Sequence, residues 1–324
     1  MKIVIAGAGS IGCYCGALLA YAGHDVTLWG RSRILDPICD KGLTVTDFSG
    51  LSRHVVAQDL VLTGDASCLT TAEAVIVSVK TGATAEIAAR IAQHAPTSAP
   101  VLSWQNGMDN ARILRAALPD HDVRAGMVPF NVVPTKPACF HRATSGEIVI
   151  ESGRGALGPR LSSADLPVVE SDEIDAVQWG KLVINLNNAL NALSGLVLKE
   201  QLLDRNWRRL MADQMAEALA VLRAAGLPVA STTPLPAWMT PHILRLPTPI
   251  FTRIAARMLT IDPSARTSMA YDLMEGRPTE IDSLQGEIIR LGAQFDVATP
   301  ICANVLALIE QAPETALSPD QVRP

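Results

Sequence analysis

Residues Gly7-Ala8-Gly9-Ser10-Ile11-Gly12 constrain the fold of this chain more than any other stretch. A short apolar strand from Lys2 to Ala6 runs directly into them, and an apolar helix is expected from about Ile11 to Tyr21. Gly23-His24 breaks that helix, and a second apolar strand follows over Val26 to Trp29. Strand, glycine turn, helix and strand is the order of a dinucleotide-binding unit, and that setting makes GxGxxG far more specific than the letters alone. Gly7 is expected to permit the tight turn, Gly9 to let backbone approach a pyrophosphate, and Gly12 to let the helix pack closely on the strand. The free amides at the helix start, around Ala8, Ser10 and Ile11, supply donors for the anion.

The end of the second strand points to the cofactor. NAD-binding units carry an acidic residue there to accept hydrogen bonds from the ribose, whereas this chain has Gly30-Arg31-Ser32-Arg33. A guanidinium at Arg31 would pair with a 2′-phosphate that an acid would repel, so NADPH/NADP+ is the expected cofactor.

At 324 residues the chain exceeds what one hydrophobic core normally serves. We expect an NADP-binding Rossmann-type α/β domain over residues 1–172, an all-α substrate and catalytic domain over 173–312, and a frayed tail over 313–324. The active site is expected in the cleft between the two domains. The net charge of −5 argues against nucleic acid or an anionic membrane as partner. The apolar start is too short for a secretory leader, and the best apolar run, Leu182 to Leu198, contains Asn185, Asn187, Asn188 and Asn191. The six cysteines form no CxxC pair and have no histidines at ligand spacing, so we read reduced thiols of a cytoplasmic protein with no metal site. The six histidines read as turn or element-end residues.

Further along, strands are expected at Leu43 to Phe48, His54 to Ala57, Ala74 to Val79, Val101 to Trp104, Val123 to Val128 and Glu147 to Glu151. Helices are expected at Thr84 to Gln93 and Asn110 to Ala117. Loops at the ends of such strands are where ligands sit in open α/β sheets, which draws attention to Gln105-Asn106-Gly107. Beyond Ser171 the pattern turns helical: Ile174 to Ser194, Asp204 to Ala225, parts of Pro236 to Met258, Glu280 to Gln294, and Pro300 to Gln311.

The first of these helices is the second informative feature. At about 100° per residue, Lys181, Asn185 and Asn188 fall within roughly 60° of one another, a polar stripe on an otherwise apolar helix. Buried lysine and asparagine need partners, and a solvated face would carry more charges than one lysine. A wet, ligand-facing surface accounts for the stripe better.

Together these residues resemble the ketopantoate reductases (2-dehydropantoate 2-reductases), NADPH-dependent enzymes of pantothenate biosynthesis in the coenzyme A pathway. The resemblance runs from about Met1 to Ile309. It implies that GAGSIG is the pyrophosphate loop, that Arg31 contacts the 2′-phosphate, and that Lys80 and Gln105 lie near the cofactor. It further implies that Asn106 lies near both nicotinamide and substrate, that Lys181 is the catalytic lysine, and that Asn185 and Ser268 bind substrate. Glu280 falls on a cofactor-proximal glutamate that shares in catalysis; read from the residues alone, Pro278-Thr279-Glu280-Ile281-Asp282 is a capped helix start. Two positions depart from the family pattern, Ala189 and Lys199. They touch neither cofactor nor proton donor, so they bear on substrate identity and not on reaction class.

The chemistry can also be stated from the residues. Reducing a 2-keto acid needs a hydride donor, a proton donor at the carbonyl oxygen, and groups that hold the carboxylate. Lys181 suits the second task, since an ammonium polarises the carbonyl and partial burial lowers its pKa toward a useful range. Asn106, Asn185, Asn188 and Ser268 are the orienting candidates. The expected partner is therefore a small-molecule 2-keto acid, with a homodimer left open. The alternatives are reduction of another branched 2-keto acid or of an imine formed from one (opine-type), and a non-enzymatic NADP(H) sensor. The sensor has no use for a buried proton donor.

Overall fold

The computed structural model describes residues 1–324 apart from 232–234, 257–258, 260–261 and 314. The chain divides into two compact units, Met1–Ile174 and Asp175–Pro324. The first unit is α/β. Its strands are β1 (Lys2–Ala6), β2 (Asp25–Trp29), β3 (Leu43–Asp47), β4 (Ser52–Val55), β5 (Leu60–Thr63) and β6 (Ala74–Val77). They continue with β7 (Val101–Ser103), β8 (Val123–Met127), β9 (Val132–Lys136), β10 (Cys139–Arg142), β11 (Ile148–Glu151) and β12 (Val168–Ser171). Its helices are α1 (Ser10–Tyr21), α2 (Ser32–Lys41), α3 (Thr84–His94), α4 (Asp109–Ala117) and α5 (Leu157–Leu161).

The main sheet has the order β12-β11-β8-β7-β6-β1-β2-β5. The strands from β8 to β5 run parallel, and β11 turns back antiparallel to β8. From β1 the chain steps outward to β2 and β5, then returns to the other side at β6. The order therefore reverses between β1 and β6, and the carboxyl end of that switch point is where ligands bind in open α/β sheets. Side chains of β1 alternate between two cores, as a period of two demands. Ile3 and Ile5 join Tyr14, Leu18, Leu28 and Val45, while Val4 and Ala6 join Val75, Val77, Ala88, Ile91 and Leu114.

Helix α1 is buried at every residue from Gly12 to Leu19. A helix that is apolar all round must be covered all round, and here the second cover is a four-stranded sheet, β4-β3-β10-β9, against which α1 packs. This explains why Cys13 and Cys15, which point to different faces of α1, are both fully buried, with burial pushing the Cys13 thiol up to about 12. Sequence patterning gives no sign of this second sheet: β9 and β10 are short, β9 contains Pro134, and β10 pairs with the distant β3. It also misses β5, β12 and α2, whose internal Pro37 reads as a helix breaker. His54 and His141, expected in turns or at element ends, lie in β4 and β10, each ring Nδ1 against a threonine hydroxyl, Thr44 at 3.0 Å and Thr46 at 2.8 Å.

The second unit is helical, with no strand among the described residues. It contains α6 (Ile174–Asn185), α7 (Asn187–Ser194), α8 (Leu198–Leu203), α9 (Arg205–Ala224), α10 (Thr240–Leu244) and α11 (Thr248–Ile254). After these come α12 (Ser268–Met274), a π-helical turn at Asp282–Gly286, α13 (Glu287–Gln294), α14 (Pro300–Glu310) and α15 (Pro319–Val322). The long α9 starts on Asp204, whose carboxylate accepts from the amides of Asn206 at 2.7 Å and Trp207 at 3.2 Å, a cap worth about 1 kcal/mol. Between Pro236 and Met258 the helical parts are the 3₁₀ turn Ala237–Met239, α10 and α11; Met258 lies outside the described residues. Two expectations need correction. The helix expected over Ile174 to Ser194 has its regular hydrogen bonding interrupted at Leu186, which itself keeps helical φ −54°, ψ −29° and donates to Leu182 O at 3.0 Å, and the tail after Gln311 is not frayed. The Leu317 amide donates to Leu193 O at 2.9 Å, Ser318 and Gln321 form a capping box for α15, and Val322 is fully buried. No described helix is long and apolar enough to cross a membrane.

Candidate active site

In the first unit the expected nucleotide-binding residues gather at the carboxyl end of β1. Gly7 adopts φ +118°, a conformation that favours glycine, and a Cβ there would lie 2.8 Å from Val79 Cγ1. Its amide donates to Trp29 O at 3.0 Å and its carbonyl accepts from Ser78 Oγ at 2.8 Å, so the turn is fixed between β2 and the end of β6. A Cβ on Gly12 would collide with Gly7 O and come within 2.6 Å of Ser78 Oγ, which ties this glycine to close packing of helix on strand. Gly9 is different: no atom lies within 4 Å of where its Cβ would be, so the loop is open there. Helix α1 has neither a side-chain cap nor an acid in its first turn. Its first amides are therefore suited to a pyrophosphate. Ala8 is buried, Ser10 and Ile11 are half-buried, and Gly30 must lack a side chain because a Cβ there would meet that of Ala8.

Arg31 follows Gly30 directly, at the N-cap of α2 beyond the end of β2. It is exposed, as is Arg33. Arg31 thus directly follows Gly30, the residue that packs against Ala8 of the glycine loop, and no acid stands at the strand end. Lys80 is exposed at the end of the β6 loop, at the N-cap of the turn Thr81–Ala83.

Asn106 lies on the next loop, held from beneath by a buried amide network. Asn110 Nδ2 donates to Asn106 O at 2.6 Å and to Thr81 Oγ1 at 3.2 Å. Thr84 Oγ1 donates to Asn110 Oδ1 at 2.8 Å. Gln105 is buried, and its Nε2 donates to Val79 O at 3.0 Å and Thr84 Oγ1 at 2.7 Å, while its Oε1 accepts from Ser103 Oγ at 3.0 Å. Its carboxamide is thus committed to joining the β6 and β7 loops, the two that carry Lys80 and Asn106. Asn110 has the same function and was not singled out by the sequence; an asparagine on the buried face of an amphipathic helix was the available signal.

In the second unit, Lys181 is half-buried near the end of α6, and removal of its ammonium from water lowers its pKa from 10.5 to about 8. Asn185 and Asn188 are both buried. Gly180, just before the lysine, is a residue that sequence reasoning passed over. A Cβ there would run into Ala230 O, and the Ala230 amide donates to Ala176 O at 2.9 Å, so this glycine admits a neighbouring segment against α6. The other two asparagines of the helix pair are structural. Asn187 Nδ2 donates to Gln201 Oε1 at 3.3 Å and Gln201 Nε2 returns to Asn187 Oδ1 at 3.1 Å. Asn191 Nδ2 donates to Gln201 Oε1 at 3.1 Å, and its Oδ1 accepts from the Thr267 amide at 3.0 Å. The polar residues thus separate into a pair that holds neighbouring elements and the Lys181-Asn185-Asn188 set.

Ser268 is exposed at the first position of α12, next to the N-cap Thr267, whose Oγ1 donates to Asn188 O at 3.0 Å. Glu280 is half-buried just before the π-helical turn, and its carbonyl accepts from the Ser283 amide at 3.1 Å. Of the two departures, Ala189 is fully buried and Lys199 is exposed. A cavity beside the second sheet, lined by Asp47, Arg142, Glu147 and Asp165, is a poorer candidate. Its Asp47, Arg142 and Asp165 are taken up by Arg142–Asp47 and Arg53–Asp165 pairs, both at 2.7 Å.

Family models described as "Ketopantoate reductase PanE/ApbA" and "Ketopantoate reductase PanE/ApbA C terminal" match residues 3–155 and 173–312. A 2-dehydropantoate 2-reductase of Halobacterium salinarum is 28% identical over 321 residues, spanning 96% of this chain and 99% of that protein. The crystal structure of a PanE/ApbA family ketopantoate reductase from Ralstonia eutropha JMP134 is similar with a TM-score of 0.81 at 31% identity, covering 99% of each chain. A ternary structure of D-mandelate dehydrogenase with NADH and anilino(oxo)acetate shares the fold, with a TM-score of 0.77 at 22% identity over 99% of each chain.

Proposed function

Because the chain belongs to the ketopantoate reductase family and is an oxidoreductase of that type, we propose that it reduces 2-dehydropantoate (ketopantoate) to pantoate with NADPH. The observation that carries this reading is Lys181, a half-buried lysine with its pKa lowered to about 8, on a helix that also presents Asn185 and Asn188.

The cofactor would be held by the Gly7 to Gly12 loop at its pyrophosphate and by Arg31 at its 2′-phosphate, with Lys80, Gln105, Asn106 and Glu280 as the remaining candidates. The open face at Gly9 and the uncapped start of α1 fit such a group. NADPH, when bound, supplies the hydride. Lys181 holds a proton at Nζ, polarises the C2 carbonyl and delivers that proton to the oxygen as it becomes an alkoxide. Donors on Asn106, Asn185 and Ser268 orient the keto acid, and Asn188 serves its terminal hydroxyl. Gln105 acts by holding the Asn106 loop.

The test is NADPH oxidation by the purified chain across a panel of 2-keto acids, with and without amines. Ketopantoate should give the highest kcat/KM, without amine and with NADPH preferred over NADH. Amine-dependent oxidation would replace this reading by an opine-type one. Tight NADPH binding with no turnover would replace it by a sensor.

A further inference from the structure

The interruption of helical hydrogen bonding at Leu186, where the backbone stays in the helical region, falls inside the polar stripe, with Lys181 and Asn185 before it and Asn188 after it. Two buried donors from elsewhere in the second unit grip the backbone at that point. Gln285 Nε2 donates to Leu186 O at 2.8 Å, and Thr267 Oγ1 donates to Asn188 O at 3.0 Å. Gln285 is fully buried, and its Oε1 has no hydrogen-bond partner. Leaving such an acceptor unmet costs about 1–3 kcal/mol, which an apolar side chain of the same length would avoid. Gln285 also sits in the π-helical turn Asp282–Gly286, a local irregularity that is uncommon and concentrated at functional sites. The two grips come from the segments that carry Ser268, next to Thr267, and Glu280, just before the π-turn.

We propose that Gln285 and Thr267 are positioning residues for the reduction: by holding the carbonyls of Leu186 and Asn188, they fix the helix interruption that sets Asn188 relative to Lys181 and Asn185. The effect on turnover rests on the function proposed above; the effect on the helix does not. Neither residue needs to touch substrate, since a displacement of about 1 Å at the reacting groups can cost roughly 100-fold in rate.

Gln285→Met keeps length and volume but removes the donor, Thr267→Val removes the hydroxyl, and Thr267→Ser keeps it. With the 2-keto acid that the wild type reduces best, Gln285→Met and Thr267→Val should lower kcat by roughly 10- to 100-fold. NADPH affinity should stay within about twofold, and Thr267→Ser should remain near native. Crystal structures of Gln285→Met and Thr267→Val should show Asn188 displaced relative to Lys181 and Asn185, or the interruption at Leu186 moved. Native kcat and KM in both variants, with lowered melting temperatures only, would overturn the proposal. Should Gln285→Met fail to fold, the Thr267→Val and Thr267→Ser pair decides by the same criteria. A wild type that reduces no 2-keto acid would remove the reductase reading and leave the crystal structures to decide. An unchanged interruption and an unmoved Asn188 would then sink the positioning role.

Discussion

The two candidate regions are built from different materials. Around Gly7 to Gly12 the site is backbone: amides at a helix start, a carbonyl pinned by Ser78, and glycines whose missing side chains leave room. Around Lys181 it is side chain: one desolvated ammonium and two amides on a helix whose interruption is gripped by remote residues. A backbone site is specified by a few consecutive residues and fails when a Cβ enters it. A side-chain site depends on everything that sets the direction of those side chains, and it fails when a donor is lost or a distant grip slips.

The sharpest way to break this comparison is at the lysine. Lys181→Met should lower kcat for 2-keto acid reduction by roughly 10²- to 10⁴-fold, the usual contribution of a general acid. NADPH affinity, measured by fluorescence titration, should remain within about twofold. A variant with near-native turnover would take chemistry away from the side-chain region.

Next in size, Arg31→Ala should weaken NADPH by roughly 10- to 150-fold, because a charge-assisted hydrogen bond contributes about 1.5–3 kcal/mol. NADH binding should hardly change. Equal losses for the two cofactors would show that this exposed guanidinium does not read the 2′-phosphate.

The glycines separate within the backbone region. Gly12→Ala drives a Cβ into Gly7 O and should cost about 1–3 kcal/mol or more in denaturant unfolding. Gly9→Ala meets no protein atom and has φ −86°, ψ −171°, extended backbone open to any residue, so it should fold like the wild type. Its loss should appear in cofactor affinity. If both variants unfolded alike, Gly9 would have a packing role that its surroundings do not suggest.

This contrast explains what the sequence reveals. The βαβ unit is local, so its strands, its helix and the tasks of Gly7 and Gly12 could be read directly. The stripe of Lys181, Asn185 and Asn188 was also legible, since helical periodicity needs only neighbouring residues. The rest depends on distant pairing. β10 joins β3 across a long span of chain, and nothing near either strand announces the partner. The interruption at Leu186 leaves no mark in an apolar run, and the grip of Gln285 on Leu186 O links residues 99 apart in sequence. The tail read as frayed is held by Leu317 to Leu193 and by buried Val322, contacts that composition does not encode.

The smallest expected effect concerns stability. The folded chain holds Lys181 at about 8 against the ordinary 10.5, so between those values the unfolded chain binds more protons and stability rises with pH. Below about 8 the cost of the buried charge is present in full. Lys181→Met should therefore be more stable than the wild type at pH 7, by on the order of 1 kcal/mol or roughly 2–4 °C, with the difference shrinking toward pH 10.5. A destabilised methionine variant would mean that the lysine is a structural group.

The most direct test of the central claim, that Lys181 is the proton donor, is the pH dependence of kcat/KM in both directions of the reaction. Reduction needs the ammonium, so its rate should fall as pH rises through about 8. Oxidation of the hydroxy acid needs the free amine and should rise through the same pH. Lys181→Met should lose both inflections along with most of the rate. Profiles that are flat between pH 7 and 9.5 in the wild type, or that keep their inflection in Lys181→Met, would contradict the account.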